Sequence, residues 1–274
     1  MADAIVISQE AKQEFWQSGA IRIQSVLDET WLRLLRDTVD EEIRNAGPGG
    51  HFADPGRATF FASIRPWRWR DVFRRFVFES PAASIASQLL GSPSVQLFSD
   101  QLFVKEPGAV ERTPWHQDLP FWPLRGTKVL SVWVALDHVD LASGGLEYVR
   151  GSHRSGAWYR PQRFTRPAPI GDDGERYDTS PDFDSRPPGV DFLSWTLEPG
   201  DCVVHHARTV HGGGGNQSSD RRRRGYSSRW FGDDVVYEAS PGRVQLEECQ
   251  GLADGDALPS GSFPLVSPKE LCRS

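Results

Sequence analysis

The pattern of hydrophobic and polar positions changes near residue 95. Before that point, apolar residues recur at the spacing of an α-helix. Asp28 is suited to cap a helix in which Trp31, Leu35, Val39 and Ile43 form one apolar stripe. The N-terminal third is therefore predicted to be mainly helical.

Two more helices are predicted in this part of the chain. One is short and lies around residues 9–17. The other follows Ser80 and Pro81, which suit an N-cap and the first helical position, and it ends at Gly91. Residues 51–70 are rich in glycine, proline, arginine and aromatic side chains without a clear period. We predict a long loop or lid there.

From residue 95 onward the hydrophobic period becomes two, which is typical of β-strands. Glycine and proline turns separate five predicted strands, which cover residues 95–106, 129–139, 146–150, 201–206 and 223–231. The polar, proline-rich segment 158–195 shows neither period and is predicted to be a long functional loop.

A single domain over residues 1–274 is the simplest division of this pattern. It would consist of a mainly helical support and lid (1–94), a β-rich core (95–232) and a C-terminal extension (233–274).

Composition narrows the function classes. The net charge of −6 argues against a nucleic-acid binder, which needs a basic surface. Three scattered cysteines (Cys202, Cys249 and Cys272) form no disulfide framework, which favours a reducing compartment. Residues 1–13 lack a secretory signal pattern, and the most apolar run, 129–136, is too short to span a membrane. We expect a cytoplasmic protein without a membrane partner.

The segment Trp115-His116-Gln117-Asp118 carries the strongest chemical signal. Side chains two residues apart on a strand share a face, so His116 and Asp118 are predicted to point the same way. With His211 they would form a 2-His-1-carboxylate triad, which suits non-haem Fe(II) and leaves coordination positions open. His211 lies 95 positions after His116, and an antiparallel jelly roll could return it beside the first strand.

His205 and His206 compete with His211 for the third position. Because side chains alternate along a strand, only one of that pair can face inward. His211 is favoured, since it stands at a strand end and four glycines follow it. A His-x-Asp pair is also common on protein surfaces, but the aromatic residues around this one favour a buried site.

Several motifs agree with a known family in order and approximate spacing over about residues 95–232. They are Lys105-Glu106-Pro107-Gly108, Thr113 to Asp118, Ser131 to Asp137, Gly144-Gly145-Leu146-Glu147, Gly151-Ser152-His153-Arg154, Pro199-Gly200-Asp201, His211-Gly212 with Asn216, and the arginine run that leads to Ser227. On these motifs the chain resembles the phytanoyl-CoA dioxygenase family of Fe(II)/2-oxoglutarate-dependent oxygenases.

The resemblance implies a mainly β protein with N-terminal helices, built on a double-stranded β-helix (a cupin-like jelly roll). It also implies Fe(II), 2-oxoglutarate and dioxygen as cofactor and co-substrates, with ascorbate as a supporting reductant and a small organic molecule as substrate. 2-Oxoglutarate would be decarboxylated to succinate. Related halogenases have a small residue in place of the carboxylate, so Asp118 favours hydroxylation, desaturation or ring closure.

The resemblance also implies residues for 2-oxoglutarate. An arginine about eleven residues after the distal histidine pairs with the far carboxylate, and this count gives Arg222. Alignment on the pattern that opens the next strand gives Arg223, which we prefer because Gly225 and Ser227 would share its face. The other arginines of the run are expected to point to solvent or to acidic partners such as Asp220 and Asp233.

Two further co-substrate positions carry over by alignment, namely Gln101 and Trp133. A buried amide such as that of Gln101 needs a partner, whereas Trp133 could equally be a core residue. The candidates for the substrate pocket are aromatic or cationic: Phe121, Trp122, Arg65, Trp67, Arg68, Trp69 and Tyr159. For Trp67 and Trp69, packing of the N-terminal helices against the barrel is about equally expected.

Two other function classes remain open at this stage. One is a non-catalytic, metal-binding jelly roll that acts as a ligand-binding module. The arginine after His211 counts against it, since such a module needs no co-substrate anchor. The other is a zinc hydrolase with the same three ligands, for which no nearby general base is evident.

Overall fold

The computed structural model describes residues 5–161, 177–239 and 246–267. Its main structural feature is a large antiparallel sheet. Its strands lie in the order β1-β10-β7-β12-β4-β3-β2, and β14 also pairs with β4. The strand bounds are β1 Ala20–Ile23, β2 Gly50–Phe52, β3 Phe60–Ile64, β4 Val95–Lys105, β7 Val129–Ala135, β10 Cys202–His206, β12 Arg223–Phe231 and β14 Leu265–Val266.

A smaller antiparallel sheet has the order β5-β11-β8-β9, and a short pair joins β6 to β13. Their bounds are β5 Thr113–His116, β6 Leu124–Arg125, β8 Leu146–Val149, β9 Phe192–Ser194, β11 His211–Gly213 and β13 Val236–Tyr237. A cavity lies between the two larger sheets, because residues of both line it. The predicted jelly-roll class is confirmed.

Four helices pack against the outer face of the large sheet: α1 Gln9–Ser18, α2 Glu29–Arg44, α3 Asp71–Glu79 and α4 Ala82–Leu90. Asp28 caps α2 by accepting from the Trp31 amide. Leu35 and Val39 of the predicted stripe are fully buried. Tyr226 of β12 stacks on Phe73 of α3, with ring centroids 4.6 Å apart. The helices therefore cover one face of the sheet and leave the other face to the cavity.

The prediction of a loop or lid over residues 51–70 is wrong for much of its length. β2 and β3 extend the sheet beyond β4, and a 3-10 helix follows at Pro66–Arg68. The helix α3 was also missed. A short edge strand with many glycines and arginines lacks the clean alternation that identifies a half-buried strand.

Part of the predicted loop over residues 158–195 is ordered secondary structure. It contains a 3-10 helix at Phe183–Ser185 and the strand β9, which pairs with β8. Residues 162–176 and Cys272 lie outside the described residues. Within the described ranges, no helix combines the length and the apolar character that a bilayer crossing requires.

Strand alternation decides which side chains enter the cavity. On β12, Tyr226 and Trp230 face the helical core. Arg223, Ser227 and Arg229 line the cavity instead. Neighbouring strands continue this row in register. The inner face of β12 is therefore the floor of the site.

Candidate functional site

His116 and His211 meet because β5 and β11 are paired in the smaller sheet. The two residues are direct partners in the strand register, and their ring centroids lie 4.2 Å apart. Asp118 follows β5 at the start of the 3-10 helix Leu119–Phe121. Its Oδ1 is 3.4 Å from His116 Nε2 and 4.0 Å from His211 Nε2. The fold thus brings the three predicted ligands together.

The route by which Asp118 reaches the cluster differs from the prediction. Its backbone is helical, with φ −72° and ψ −47°, so it is not a strand residue that shares a face with His116. The turn after β5, rather than strand alternation, directs the carboxylate towards the imidazoles. One potential ligand atom from each residue lies within 4.8 Å of the others.

Both imidazoles are oriented by backbone carbonyls. His116 Nδ1 lies 2.8 Å from the Pro114 carbonyl, and His211 Nδ1 lies 2.9 Å from the Thr209 carbonyl. In the tautomer that donates from Nδ1, each ring carries its lone pair on Nε2, the atom that would bind a metal. The two Nε2 atoms are the ones that face Asp118.

The two oxygens of Asp118 have different surroundings. Oδ2 accepts from Ser131 Oγ at 3.0 Å and contacts His205 Nε2 at 3.3 Å. Burial on its own would raise the pKa of Asp118, but hydrogen bonds with His116 and His205 and the nearby His211 hold it well below its usual value. The carboxylate is therefore ionised, and Oδ1 faces the cluster.

Burial and the neighbouring imidazoles His116 and His205 lower the pKa of His211 well below its usual value. The ring is therefore neutral at physiological pH, as a metal ligand must be.

The alternation of β10 separates His205 from His206. His205 points into the cavity and contacts Asp118, but it does not belong to the three-residue cluster. His206 points the other way, towards the Thr127 carbonyl at 2.8 Å and the ring of Trp16. Burial lowers the pKa of His206 to about 3, which keeps it a neutral packing residue.

A cavity of about 60 Å³ opens beside the cluster, several times the space that one water molecule needs. Apolar and cationic side chains from both sheets line it together with the cluster: Phe60, Phe103, Arg112, Thr113, Trp133, Leu146, His205, Arg223, Ser227 and Arg229.

Arg223 enters this cavity and Arg222 does not. Arg223 is 2 % exposed, donates to the Gly144 carbonyl at 3.1 Å, and has a buried Nε without a hydrogen-bond partner in the described part of the chain. Burial lowers its pKa to about 10, so it is still charged at neutral pH. Arg222, which immediately precedes β12, instead forms ion pairs with Asp40 and Glu106.

The sequence analysis gave no role to Lys105. It is fully buried and lies opposite Arg223 in the strand register, and its Nζ donates to the Gly214 carbonyl at 2.5 Å. Burial and the charge of Arg223 lower the pKa of Lys105 to about 6. Lys105 lies four residues after Gln101 on β4, and strand alternation therefore puts both on the same face. This spacing is the signal that could have identified Lys105.

Two of the three remaining predicted co-substrate residues line the cavity. Trp133 and Ser227 line the cavity and are register partners, and the Arg223 guanidinium lies 5.6 Å from the Trp133 ring centroid. Gln101 is not among the lining residues. Its Oε1 accepts from Arg229 Nη2 at 2.9 Å. Arg229 also lines the cavity, and no role was predicted for it from the sequence.

The predicted substrate residues lie around the site rather than in the cavity lining. Phe121 packs edge-on against His116 with centroids 5.8 Å apart, and Trp122 lies under Arg229. Arg65 is bound to Glu248, as is Arg68.

Three further substrate candidates have packing or structural roles. Trp67 packs against the helical core, and Trp69 donates to Glu42. Tyr159 packs near Phe183.

The donor set of the cluster fits a ferrous ion. Two neutral imidazoles and one ionised carboxylate are the ligands that non-haem Fe(II) takes on one face of its octahedron. The cavity beside them leaves room for further ligands. Ser131 and His205 hold Asp118, and backbone carbonyls hold both imidazoles, which is the outer support that metal ligands usually have.

Comparison with known proteins gives one consistent family. Residues 15–225 match the family described as phytanoyl-CoA dioxygenase (PhyH). The chain is 29 % identical over 124 residues to the peroxisomal phytanoyl-CoA dioxygenase of Rattus norvegicus, which covers 44 % of this chain and 35 % of the rat protein. It is 30 % identical over 141 residues to phytanoyl-CoA dioxygenase of Arabidopsis thaliana, a match that covers 51 % of this chain and 46 % of the plant protein. The matches thus span less than half of these relatives.

Solved structures match over nearly the whole chain. The non-haem α-ketoglutarate-dependent carbocyclase SnoK from nogalamycin biosynthesis is similar with a TM-score of 0.75 and 27 % identity, covering 95 % of this chain and 96 % of SnoK. The epimerase SnoN, solved with Fe3+, α-ketoglutarate and nogalamycin RO, is similar with a TM-score of 0.73 and 22 % identity. The match covers 94 % of this chain and 97 % of SnoN. EvdO2 from Micromonospora carbonacea, complexed with 2-oxoglutarate, is similar with a TM-score of 0.63 and 25 % identity. The match covers 89 % of this chain and 100 % of EvdO2.

Proposed function

The chain belongs to the phytanoyl-CoA dioxygenase family, and on that premise we propose that it is an Fe(II)- and 2-oxoglutarate-dependent dioxygenase of a small organic molecule. The observation that carries this proposal is the convergence of His116, Asp118 and His211 beside a cavity with a buried arginine. Residues 1–274 would act as one oxygenase domain, which the structural similarity over 95 % of the chain supports.

His116, Asp118 and His211 would hold the iron through Nε2, Oδ1 and Nε2. When bound, the iron supplies the reaction of dioxygen with 2-oxoglutarate that gives succinate and carbon dioxide and oxidises the substrate. Ser131 and His205 occupy Oδ2 of Asp118, so that only Oδ1 is directed to the metal.

Arg223 is the proposed anchor of the far carboxylate of 2-oxoglutarate, in preference to Arg222. Its planar guanidinium suits a carboxylate, and its buried Nε has a hydrogen bond still to make. Lys105 lies beside it and can add a second cation, while Ser227 offers a hydroxyl. Arg223 is a buried cation that has no carboxylate partner in the described residues, which is costly unless an anion joins it.

Trp133 forms a wall of the co-substrate site. Its indole lies beside the Arg223 guanidinium, where it covers the cation and excludes water. Water exclusion strengthens the interactions of the buried charges and protects a reactive centre. No general base is required of the chain, since the hard chemistry belongs to the cofactor.

The test is succinate formation by purified protein with Fe(II), 2-oxoglutarate, dioxygen and ascorbate across a library of small metabolites. We expect wild-type protein to form succinate, with stimulation by at least one compound. His211→Ala should abolish the reaction, whereas His138→Gln, which changes a partly exposed histidine outside the cluster, should not. Absence of succinate with intact iron and 2-oxoglutarate binding would favour a non-catalytic binding module instead.

A further inference from the structure

Arg229 lines the cavity together with Arg112 and Arg223, and neither the family resemblance nor the proposed far-carboxylate site uses its guanidinium. It shares the inner face of β12 with Arg223, six residues further along the strand. The strand register places it opposite Ser131, whose hydroxyl binds Asp118. Arg229 therefore lies at the level of the proposed metal ligands, and Arg223 lies at the level of the far carboxylate.

The guanidinium of Arg229 has donors to spare. Its one hydrogen bond in the described structure goes from Nη2 to Gln101 Oε1 at 2.9 Å, and its Nε is buried without a partner. An arginine carries five N–H donors in one plane. The Trp122 ring lies 5.6 Å from the guanidinium carbon.

No carboxylate of the described residues forms an ion pair with Arg229. Asp118 instead contacts the imidazoles of His116, His205 and His211. Burial lowers the pKa of Arg229, while Asp118 and Asp100 act in the opposite direction. A charged group held in this way in a cavity is costly unless an anion from outside completes its hydrogen bonds.

We propose that Arg229, held in place by Gln101, is a second carboxylate-binding site beside the metal centre. Two molecules could supply the carboxylate: 2-oxoglutarate through its 1-carboxylate, or an acidic organic substrate. The former rests on the proposed function, and the latter extends it to a substrate class. In both cases the planar edge of Arg229 fixes where the carboxylate lies relative to Asp118.

The test uses Mn(II), which accepts the same nitrogen and oxygen ligands, as a paramagnetic reporter at the metal centre. Trifluoroacetate is the carboxylate probe, and trifluoroacetamide is its neutral counterpart. In wild-type protein, we expect Mn(II) to increase the ¹⁹F relaxation rate of trifluoroacetate but not of the amide. Arg229→Gln should weaken probe binding about tenfold or more, as loss of a charged hydrogen bond implies. Arg229→Lys should retain part of it.

Arg222→Gln is the matched control, because Arg222 immediately precedes β12 and its side chain pairs with Asp40 and Glu106 outside the cavity. It should behave as wild type. Thermal unfolding of each variant shows whether it is folded, and Arg229→Lys keeps the test valid if Arg229→Gln does not fold.

Addition of 2-oxoglutarate separates the two sources of the carboxylate. If the 1-carboxylate occupies the site, 2-oxoglutarate displaces trifluoroacetate, and Arg229→Gln lowers 2-oxoglutarate affinity about tenfold or more. If an acidic substrate occupies it, Mn(II) still increases the ¹⁹F relaxation rate of trifluoroacetate when 2-oxoglutarate is bound. Arg229→Gln then keeps the wild-type affinity for 2-oxoglutarate.

Equal trifluoroacetate relaxation and equal 2-oxoglutarate affinity in wild type and Arg229→Gln would overturn the proposal. Failure of the proposed function would appear differently, as absence of 2-oxoglutarate binding in wild type and Arg222→Gln alike.

Discussion

At the scale of single residues, Asp118 is the group on which the other parts of the site converge. One of its oxygens faces two imidazoles, and the other is held by Ser131 and His205. This division matters because a carboxylate that is fixed by outer hydrogen bonds presents a single oxygen to the metal in a defined direction.

His205 is therefore expected to position Asp118 without binding the metal itself. His205→Phe keeps a ring of similar size but removes the contact with Oδ2. We expect the affinity for Fe(II) or Mn(II) to fall about 10–100-fold, the usual effect of losing an outer partner of a metal ligand. Calorimetric titration of the metal measures this change. His206→Phe, on the opposite face of β10, should leave metal affinity within about threefold of wild type. Unchanged affinity in His205→Phe would contradict the positioning role.

Lys105 predicts a pH dependence for co-substrate binding. Its pKa of about 6 means that it is mostly neutral at pH 7.5 before an anion binds. A carboxylate beside Arg223 would raise this pKa, so binding should take up a proton. The affinity for 2-oxoglutarate should therefore fall as pH rises above about 6, by up to about tenfold per unit, until the pH passes the pKa of the complex.

Titrations in buffers of different ionisation enthalpy measure the proton uptake, which we expect to approach one proton at pH 7.5. Lys105→Met should abolish the uptake and weaken 2-oxoglutarate binding. The same change should stabilise the unliganded protein by about 1–4 kcal/mol, because it removes a buried, unpaired ionisable group. Proton uptake that persists in Lys105→Met would assign the linkage to another residue.

At the scale of secondary-structure elements, the sequence predicted the long strands well and the short ones poorly. β4, β7 and β12 have 11, 7 and 9 residues, enough for the period of two to show. β5 and β11 have only four and three residues. Only the motifs around His116 and His211, not periodicity, pointed to their position. Metal ligands on such short strands are identified by their residue types and motifs, because the strands are too short to show a hydrophobic period.

Strand alternation explains much of what could be predicted on β12. It separated Arg223 from Arg222 and placed Ser227 beside Arg223. The same rule extends to Arg229 on β12 and to Lys105 on β4, although the sequence analysis did not apply it there. The conformation of Asp118 could not be obtained in this way, because a turn after the strand sets it.

Gly225 of β12 links the strand to the co-substrate wall. A Cβ added there would lie 2.0 Å from Trp133 Cζ2, so the ring of Trp133 needs the space that glycine leaves. Gly225→Ala should displace Trp133 from Arg223, weaken 2-oxoglutarate binding about tenfold, and destabilise the fold by about 1–3 kcal/mol.

Binding titration and denaturant unfolding measure these two effects of Gly225→Ala. Gly214→Ala is a control near the site, since a Cβ there meets no atom within 4 Å. Normal 2-oxoglutarate affinity in Gly225→Ala would show that the position of Trp133 is unimportant.

At the scale of the whole molecule, the jelly roll serves to join distant parts of the sequence. The smaller sheet pairs β5 with β11 and so places His211 against His116. The larger sheet supplies Ser131 and His205 below Asp118 and the cations Arg223 and Lys105 beside the cavity. The helices bury the other face of that sheet, so the floor of the site is backed by the hydrophobic core. The function therefore depends on both sheets keeping their register.

The central claim is that His116, Asp118 and His211 bind Fe(II) and leave positions for a 2-oxo acid. The most direct measurement is the visible absorption band that a 2-oxo acid produces when it chelates ferrous iron, recorded without oxygen. Wild-type protein with one equivalent of Fe(II) should develop this band on addition of 2-oxoglutarate, and His138→Gln should do the same. His211→Ala should not develop it while remaining folded. A wild-type protein without the band, or a His211→Ala variant with it at full intensity, would contradict the account.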